Sequence, residues 1–471
     1  MAERTPRLAT VAGLVVAIVV AVAGTAAGGV LAVTYAGPIK ALLTPVPPAS
    51  AVAFPVPGLQ KQPQQVLADP SGSGAAPTVA GLASHLGQAL HDSRLGPSVS
   101  VSIRDGLTGE PLYGAGDSRP APAASATKLL TAAAALQKLG PDHRFTTRVV
   151  QGSEPGSVVL VGGGDPTLGI GPRTAYANAA RLDLLAGQVK RALGGAKVSK
   201  IVVDTSLFGG PATATGWAPG DLKGDVAPIG ALMVDGGRTS PDQDSRPRTA
   251  TPSTFAATGF AAALGASGAT ITSGKAPSGA RELGSVRSMP LSQIIAIDLE
   301  ISDNVISEVL GRQVAIAAGL PATFSGMAAA VPKVLAAAGV TAASDARLLD
   351  ASGLSGADRV TARLLSAVLA TASSASKPAL RPMLTGLPVA GYTGTLDKRF
   401  VSAQARAGAG IVRAKTGTLT GVSSLAGVVV DSSGRLLAFA VVADKVPPTG
   451  TLAAEAALDV IGTEIAGCGC S

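Results

Sequence analysis

The chain has 471 residues, 46% of them hydrophobic but only 3% aromatic, too many for one ordinary core, so about two or three folded units plus tails are expected and a single small domain is excluded. Its 38 basic and 30 acidic residues leave a net charge of +8, which suits anionic cell-wall polymers or lipid head groups, or a mildly basic surface with no partner; nucleic acid is disfavoured, because no run of Lys and Arg interleaves with aromatics. The histidines are His85, His91 and His143 and the cysteines Cys468 and Cys470, which make no ligand cluster, so no metal and no other cofactor is expected.

In chain order, no charged residue lies between Arg7 and Lys40, and residues 8–36 are dominated by Val, Ala, Leu and Gly. This predicts one transmembrane helix, with residues 1–7 cytoplasmic and the rest of the chain outside, because Arg4 and Arg7 flank its start. An uncleaved anchor is favoured over a cleaved leader, whose apolar core is usually only about 7 to 15 residues long. Residues 37–77 hold nine prolines and a Gly/Ser-rich piece, a semi-extended spacer.

The globular pattern begins near Thr78. A helix-like stretch with Leu82, Leu86 and Leu90 leads into an alternating strand at residues 98–103, then a turn at Asp105-Gly106. Another helix starts near residues 122–125 and stops at Gly140. Residues 146–286 carry short Val-rich strands among many glycines and prolines and read as a mostly β insertion. Helical periodicity returns over residues 290–372, and residues 422–430 and 436–442 form a two-strand meander around Asp431-Ser432-Ser433-Gly434. The two cysteines lie in the last four residues, which read as a frayed tail or a pair joined to each other or to another chain.

Three short elements carry chemistry. Ser125-Ala126-Thr127-Lys128 at a helix start puts a lysine amine on the same face as a serine hydroxyl, and a lysine of depressed pKa can take the proton of a serine nucleophile. By composition about one Ser-x-x-Lys arises by chance. A second occurs at Ser374-Ala375-Ser376-Lys377, but Pro378 follows it, so it reads as a loop. Ser302-Asp303-Asn304 sits between two helix-like stretches, where a hydroxyl can pass a proton to a leaving amine and the Asn amide can clamp a peptide group; the plainer reading is a helix N-cap. Lys415-Thr416-Gly417-Thr418 precedes the meander, where lysine and hydroxyls can hold a carboxylate and glycine leaves room for an extended substrate; the plainer reading is a turn into a strand.

In this order the three elements resemble the motifs of penicillin-binding proteins and serine β-lactamases. The closer resemblance is to the D-alanyl-D-alanine carboxypeptidase/endopeptidase branch, the low-molecular-mass class C penicillin-binding proteins of the S13 peptidase family, over about residues 80–460. Further stretches that look like that family are Gly164-Asp165-Pro166-Thr167-Leu168, Asp350-Ala351-Ser352-Gly353-Leu354-Ser355, Leu387-Pro388-Val389-Ala390-Gly391 and Gly394-Thr395-Leu396. Ser302 follows Ser125 by 177 residues, which matches a family that inserts extra domains there, whereas a β-lactamase keeps the interval short.

The resemblance implies an α+β penicillin-binding-protein/β-lactamase-like transpeptidase domain, an antiparallel sheet with helices plus an all-helical subdomain, formed by residues 78–145 and 287–464. The inserted β-rich domain is residues 146–286 and the tail residues 465–471. It implies that Ser125 attacks the carbonyl between two D-alanines, Lys128 accepts its proton and Ser302 relays a proton to the leaving amine. Asn304, Lys415, Thr416, Gly417 and Thr418 would form the substrate-binding wall, with the N–H groups of Ser125 and Thr418 as the oxyanion hole. Peptidoglycan stem peptides are the implied substrates and β-lactams covalent inhibitors. Departures are Ala351, where the family commonly has Gly, and Asp235, where a substrate-flanking segment often has Asn.

Three other readings are weaker. A class A β-lactamase needs a glutamate to position the deacylating water, and the only glutamate between Asn304 and Lys415 is Glu308, read as a helix-face residue. A Ser-His-Asp hydrolase lacks its Gly-x-Ser-x-Gly elbow. A silent scaffold that keeps the fold and only binds cell-wall peptides is opposed by the presence of every catalytic position.

Overall fold

The computed structural model describes residues 74–241 and 247–470, within the compact unit Asp69–Ser471. The expected anchor at 8–36 and all but the end of the spacer lie outside the described residues. Among the described residues, no helix is long and apolar enough to cross a membrane.

Two five-stranded sheets organise the fold. The first joins the two ends of the sequence: β1 (Val99–Asp105), β2 (Pro111–Ala115), β8 (Arg413–Leu419), β9 (Val422–Val430) and β10 (Leu436–Ala443) run in the order β2-β1-β10-β9-β8, every pair antiparallel. Alternation sorts its side chains. Leu425, Val429, Leu437, Phe439 and Val441 face α1 (Val79–Leu90) and the C-terminal helix, through Leu82, Leu86, Ile461 and Ile465. Ala426, Val428, Ala438, Ala440 and Val442 face the other way, onto a larger core shared with α2 (Lys128–Leu139). Small alanines on that face let helices approach closely, and both faces are covered, so the strands read as apolar runs.

The larger core is otherwise helical. The second sheet, however, is not the mostly β unit the sequence suggests. It runs β6 (Thr270–Ser273), β5 (Lys200–Asp204), β4 (Ser157–Val161), β3 (Thr146–Gln151), β7 (Glu282–Arg287), with β4, β5 and β6 mutually parallel. Parallel neighbours need crossover connections, supplied by α3 (Leu182–Leu193) and α4 (Pro252–Leu264). Leu182, Leu185, Ala186 and Val189 form the stripe that buries α3 against Val149, Leu160 and Ile201 of the sheet.

After the second sheet come α5 (Leu291–Ile301), α6 (Asn304–Ala317), α7 (Phe324–Ala337), α8 (Ala362–Ser373), the short α9 (Pro382–Thr385) and, after the first sheet is completed, α10 (Thr451–Gly467). The second Ser-x-x-Lys follows the end of α8, outside any helix. The C-terminus is not frayed: α10 buries Ile465 and Ala466, Cys468 is buried and joined to Cys470, and the Cys470 carbonyl accepts the Thr78 N–H at 2.9 Å.

Candidate active site

The first element lies in a 3-10 turn, Ala124–Thr127, that runs directly into α2. Ala124 adopts φ +48°, and this tight entry sets Ser125 one turn ahead of Lys128. Lys128 is fully buried; its Nζ donates to Ser125 Oγ (2.8 Å), Asn304 Oδ1 (2.6 Å) and the Ser352 carbonyl (2.9 Å). Burial pushes its pKa below the ordinary lysine value, and the carboxyls of Asp298, Asp350, Glu308 and Asp303 offset part of that. A buried amine with a depressed pKa, hydrogen-bonded to a serine hydroxyl, has the arrangement of a nucleophile and its base.

The second element is a hinge between α5 and α6. Ser302 takes the left-handed conformation (φ 60°, ψ 43°), its N–H bonded to the Asp298 carbonyl. Asp303 caps α6, one carboxylate oxygen accepting from the Val305 and Ile306 N–H groups, so the N-cap reading is correct for Asp303. Asn304 is held at both ends: its oxygen accepts from Lys128, and its Nδ2 donates to the Asp225 carbonyl at 3.1 Å. Ser302 and Asn304 line a cavity of about 230 Å³ together with Asp225, Arg238 and Arg248.

The third element is β8, the edge strand of the first sheet. Lys415 is fully buried and its Nζ donates to the Thr416 carbonyl at 2.9 Å. Burial drives its pKa well down, and the Lys128 charge lowers it further, which sets the two amines in one electrostatic site. Gly417 lies against the turn that carries Ser125: a Cβ there would stand 2.3 Å from Ser424 Oγ and 2.4 Å from the Ala123 carbonyl oxygen, which itself accepts from Ser424 Oγ at 2.7 Å. The Ala414 N–H bonds outward to the Pro388 carbonyl at 3.0 Å. Strand alternation therefore turns the Thr416 and Thr418 N–H groups outward as well, along an edge that an extended peptide can follow. Thr416 Oγ1 donates to Thr395 Oγ1 (2.8 Å) and Thr418 Oγ1 to Glu455 Oε1 (2.9 Å).

The sequence did not give several residues their supporting roles. Glu308 is not a helix-face residue: it is buried, and its carboxyl accepts the Ala351 and Ser352 N–H groups at 2.9–3.0 Å, which places the Ser352 carbonyl on Lys128. Asp350 accepts from the Gly353 and Ser355 N–H groups and from the Trp217 indole at 2.8 Å. Burial and the neighbouring Asp350 push the Glu308 and Asp358 carboxyls well up, while burial pushes Asp298 to about 7. Asp303 receives the Tyr176 hydroxyl (2.8 Å) and Arg238 Nη2 (2.9 Å). Asp235 is buried, takes φ +51° and accepts the Ala175 N–H at 2.8 Å, a turn-forming role. Its signal was its company, Asp-Gly-Gly. Among the described residues no group of three or more His, Cys, Asp or Glu is arranged to hold a metal ion.

The family model of the D-Ala-D-Ala carboxypeptidase 3 (S13) family matches residues 82–247 and 244–465. A carboxypeptidase of Mycobacterium tuberculosis is 43% identical over 404 residues, covering 84% of this chain and 86% of that protein. Carboxypeptidase DacB of Mycolicibacterium smegmatis is 41% identical over 465 residues, covering 97% and 96%. Penicillin binding protein 4 of Haemophilus influenzae superposes with a TM-score of 0.64 at 21% identity, over 81% of this chain and 97% of that one, so the fold is that of a penicillin-binding protein. With residues 82–465 matched and its three motif elements gathered around one buried lysine, this chain belongs to the D-Ala-D-Ala carboxypeptidase 3 (S13) family.

Proposed function

We infer that the chain is a serine D,D-peptidase that cleaves D-alanyl-D-alanine, or D-alanyl cross-link, bonds of peptidoglycan through an acyl-enzyme. The observation that carries this is Lys128 Nζ, buried and hydrogen-bonded at once to Ser125 Oγ and Asn304 Oδ1 beside the Gly417 edge strand.

The geometry supports the following division of labour. The substrate lies antiparallel to β8, its peptide group held between the Asn304 amide and the outward N–H groups of the strand. Ser125 Oγ attacks the carbonyl carbon of the penultimate D-alanine while its proton passes to neutral Lys128. The oxyanion meets the N–H groups of Ser125 and Thr418. The C–N bond breaks as the departing amine takes a proton, relayed from Lys128 through Ser302. Water then attacks the ester and regenerates Ser125. Lys415, Thr416 and Thr418 face the leaving side, and Gly417 is the residue small enough to let strand and nucleophile turn meet.

A β-lactam would enter the same path, its ring opening to leave an ester on Ser125. The test is labelling with a fluorescent penicillin, read against Ser125→Ala, followed by digestion of purified muropeptides. One adduct per wild-type chain, absent in the variant, and release of D-alanine or of uncrosslinked monomers are expected. A wild-type protein that takes no label and leaves muropeptides intact would refute the assignment. The uncharged stretch at 8–36 supports placement of this body outside a membrane, anchored by that segment.

A further inference from the structure

We propose that the groove between the second sheet and the C-terminal half of α6 is a non-catalytic binding site for polymeric peptidoglycan, held through the free carboxylates of stem peptides other than the one being cleaved. The proposal rests on the peptidase reading above and adds to it a second site, carried by the segment between Ser125 and Ser302.

In the antiparallel pair of β3 and β7, Thr146 stands opposite Arg287 and Arg148 opposite Ser285; on its other side Arg148 faces Val161 of β4. Opposite residues share a face of the sheet, so Arg148 and Arg287 are diagonal neighbours on one side, within reach of each other's long side chains. Both are exposed, and among the described residues neither donates a hydrogen bond nor meets a carboxylate. The packing against α3 is done from the other side, by Val149, Leu160 and Ile201. Two like charges set side by side without a counter-ion add nothing to the sheet. They suit an anion that arrives from outside.

Arg148 and Val161 line a groove of about 810 Å³ together with Gln313 and Ile316 of α6. Arg144 lines it too, exposed, with its Nη1 on the Ser288 carbonyl at 2.7 Å. Beside it His143 is held below its ordinary pKa by burial and by the charge of Arg287, which sets Arg287 at the same rim. The acid among the lining residues, Asp204, is buried, and its two oxygens are taken by the Ser206 and Ala276 N–H groups at 3.0 and 2.8 Å. Three guanidiniums therefore face the opening against one carboxylate that is satisfied from within. A guanidinium fork matches a carboxylate in shape as well as charge. Leu207 and Ile316, 37% and 36% exposed, add apolar surface between the charges.

The occupant that fits is the substrate polymer itself, a long chain whose many stem peptides each end in a carboxylate. Asn304 opens α6, and Gln313 and Ile316 stand about 14–18 Å further along the same helix at about 1.5 Å of rise per residue, so one rigid element joins the groove to the active site. A strand held in the groove presents its neighbouring peptides to Ser125 at raised local concentration and leaves the chemical step unchanged.

The experiment measures co-sedimentation of the full chain, carrying Ser125→Ala to prevent digestion, with insoluble peptidoglycan that has been stripped of phosphodiester polymers by acid. The double variant Arg148→Glu/Arg287→Glu should bind about fivefold less or weaker still, the order set by one ion contact in water. Lys190→Glu/Arg191→Glu on α3, which changes net charge equally, should bind as the parent does. Peptidoglycan whose carboxylates have been converted to amides should no longer distinguish the parent from the Arg148/Arg287 variant. With Ser125 restored, that variant should keep the wild-type kcat/KM on diacetyl-L-lysyl-D-alanyl-D-alanine and the wild-type rate of penicillin labelling, while its KM for the polymer rises. Equal losses in the two double variants, binding that survives amidation, or binding that disappears with the phosphodiester polymers overturns the proposal and leaves the peptidase reading intact. Absence of both cleavage and Ser125 labelling in the wild type would instead sink the peptidase reading itself.

Discussion

Asn304 sits with its amide oxygen 2.6 Å from Lys128 Nζ, closer than the Ser125 hydroxyl at 2.8 Å. A neutral acceptor at that point leaves the amine free to lose its charge. A carboxylate in its place would hold the proton on.

Asn304→Asp is therefore expected to raise the Lys128 pKa by about one unit or more, the usual effect of an adjacent opposite charge. Acylation needs the neutral amine, so the acid limb of the pH profile for penicillin acylation should move alkaline by the same amount, with the rate recovering at high pH. An acid limb that stays in place would show that Lys128 does not gate the step.

Gly417→Ala introduces a Cβ that meets Ala123 and Ser424 at the distances found for the strand and turn. The strand has to move away from Ser125. Loss of about 1–3 kcal/mol of stability by overpacking is expected, with acylation slowed at least tenfold in protein that still melts cooperatively. A variant that labels at the wild-type rate would remove the close approach from the account.

Asp358 tests the buried carboxyls. Burial and the neighbouring Asp350 raise its folded pKa above the ordinary 3.8, so the folded state keeps a proton that the unfolded chain loses. That contribution is complete below pH near 3.8 and declines as pH rises above it. Each such proton costs about 1.4 kcal/mol per pH unit over that window. Asp358→Asn keeps an acceptor for the Leu349 N–H and places N–H groups toward Asp350. Denaturant unfolding from pH 5 to 8 should show the wild type weakening more steeply than the variant; parallel curves would contradict the proton count.

Arg238→Met leaves Asp303 short of its strongest partner, with Arg248 at 3.9 Å and the Tyr176 hydroxyl remaining. Breaking a buried pair costs about 3–5 kcal/mol. Asp303→Asn in the same background should return most of it, since Asn still caps α6. Failure of the double variant to recover melting temperature would mean that Arg238 acts through packing alone.

Much of this site was legible in the sequence because its chemistry is packed into short local motifs: Ser125 and Lys128 on one helical face, Ser302 and Asn304 across one hinge, Lys415 to Thr418 on one strand. The meander at 422–430 and 436–443 and the helix ending at Gly140 were legible for the same reason, since alternation and a terminal glycine are local signals. The partners of Asp303 were not, because Tyr176, Arg238 and Arg248 come from loops of the second sheet and nothing near Asp303 announces them. Glu308 was misread because its helix is buried on every side: Ser307, Glu308, Val309, Leu310, Gly311 and Arg312 are all inside, so no polar face distinguishes a solvated acid from a structural one. The helices of the second sheet were less legible, because the stripe of Leu182, Leu185, Ala186 and Val189 is a short run set among glycines, prolines and Val-rich strands.

The pairing of β1 with β10 brings residues 99–105 onto residues 437–443. A chain emerging from its N-terminus cannot complete that sheet until almost the last strand has been made, whereas the sheet built from residues 146–287 can close long before. Folding is therefore ordered by topology: the segment between Ser125 and Ser302 can serve as an early scaffold, and Ser125 acquires its far wall last. A nascent or truncated chain that stops short of residue 413 would carry every atom of Ser125 and Lys128 and yet remain unreactive toward penicillin.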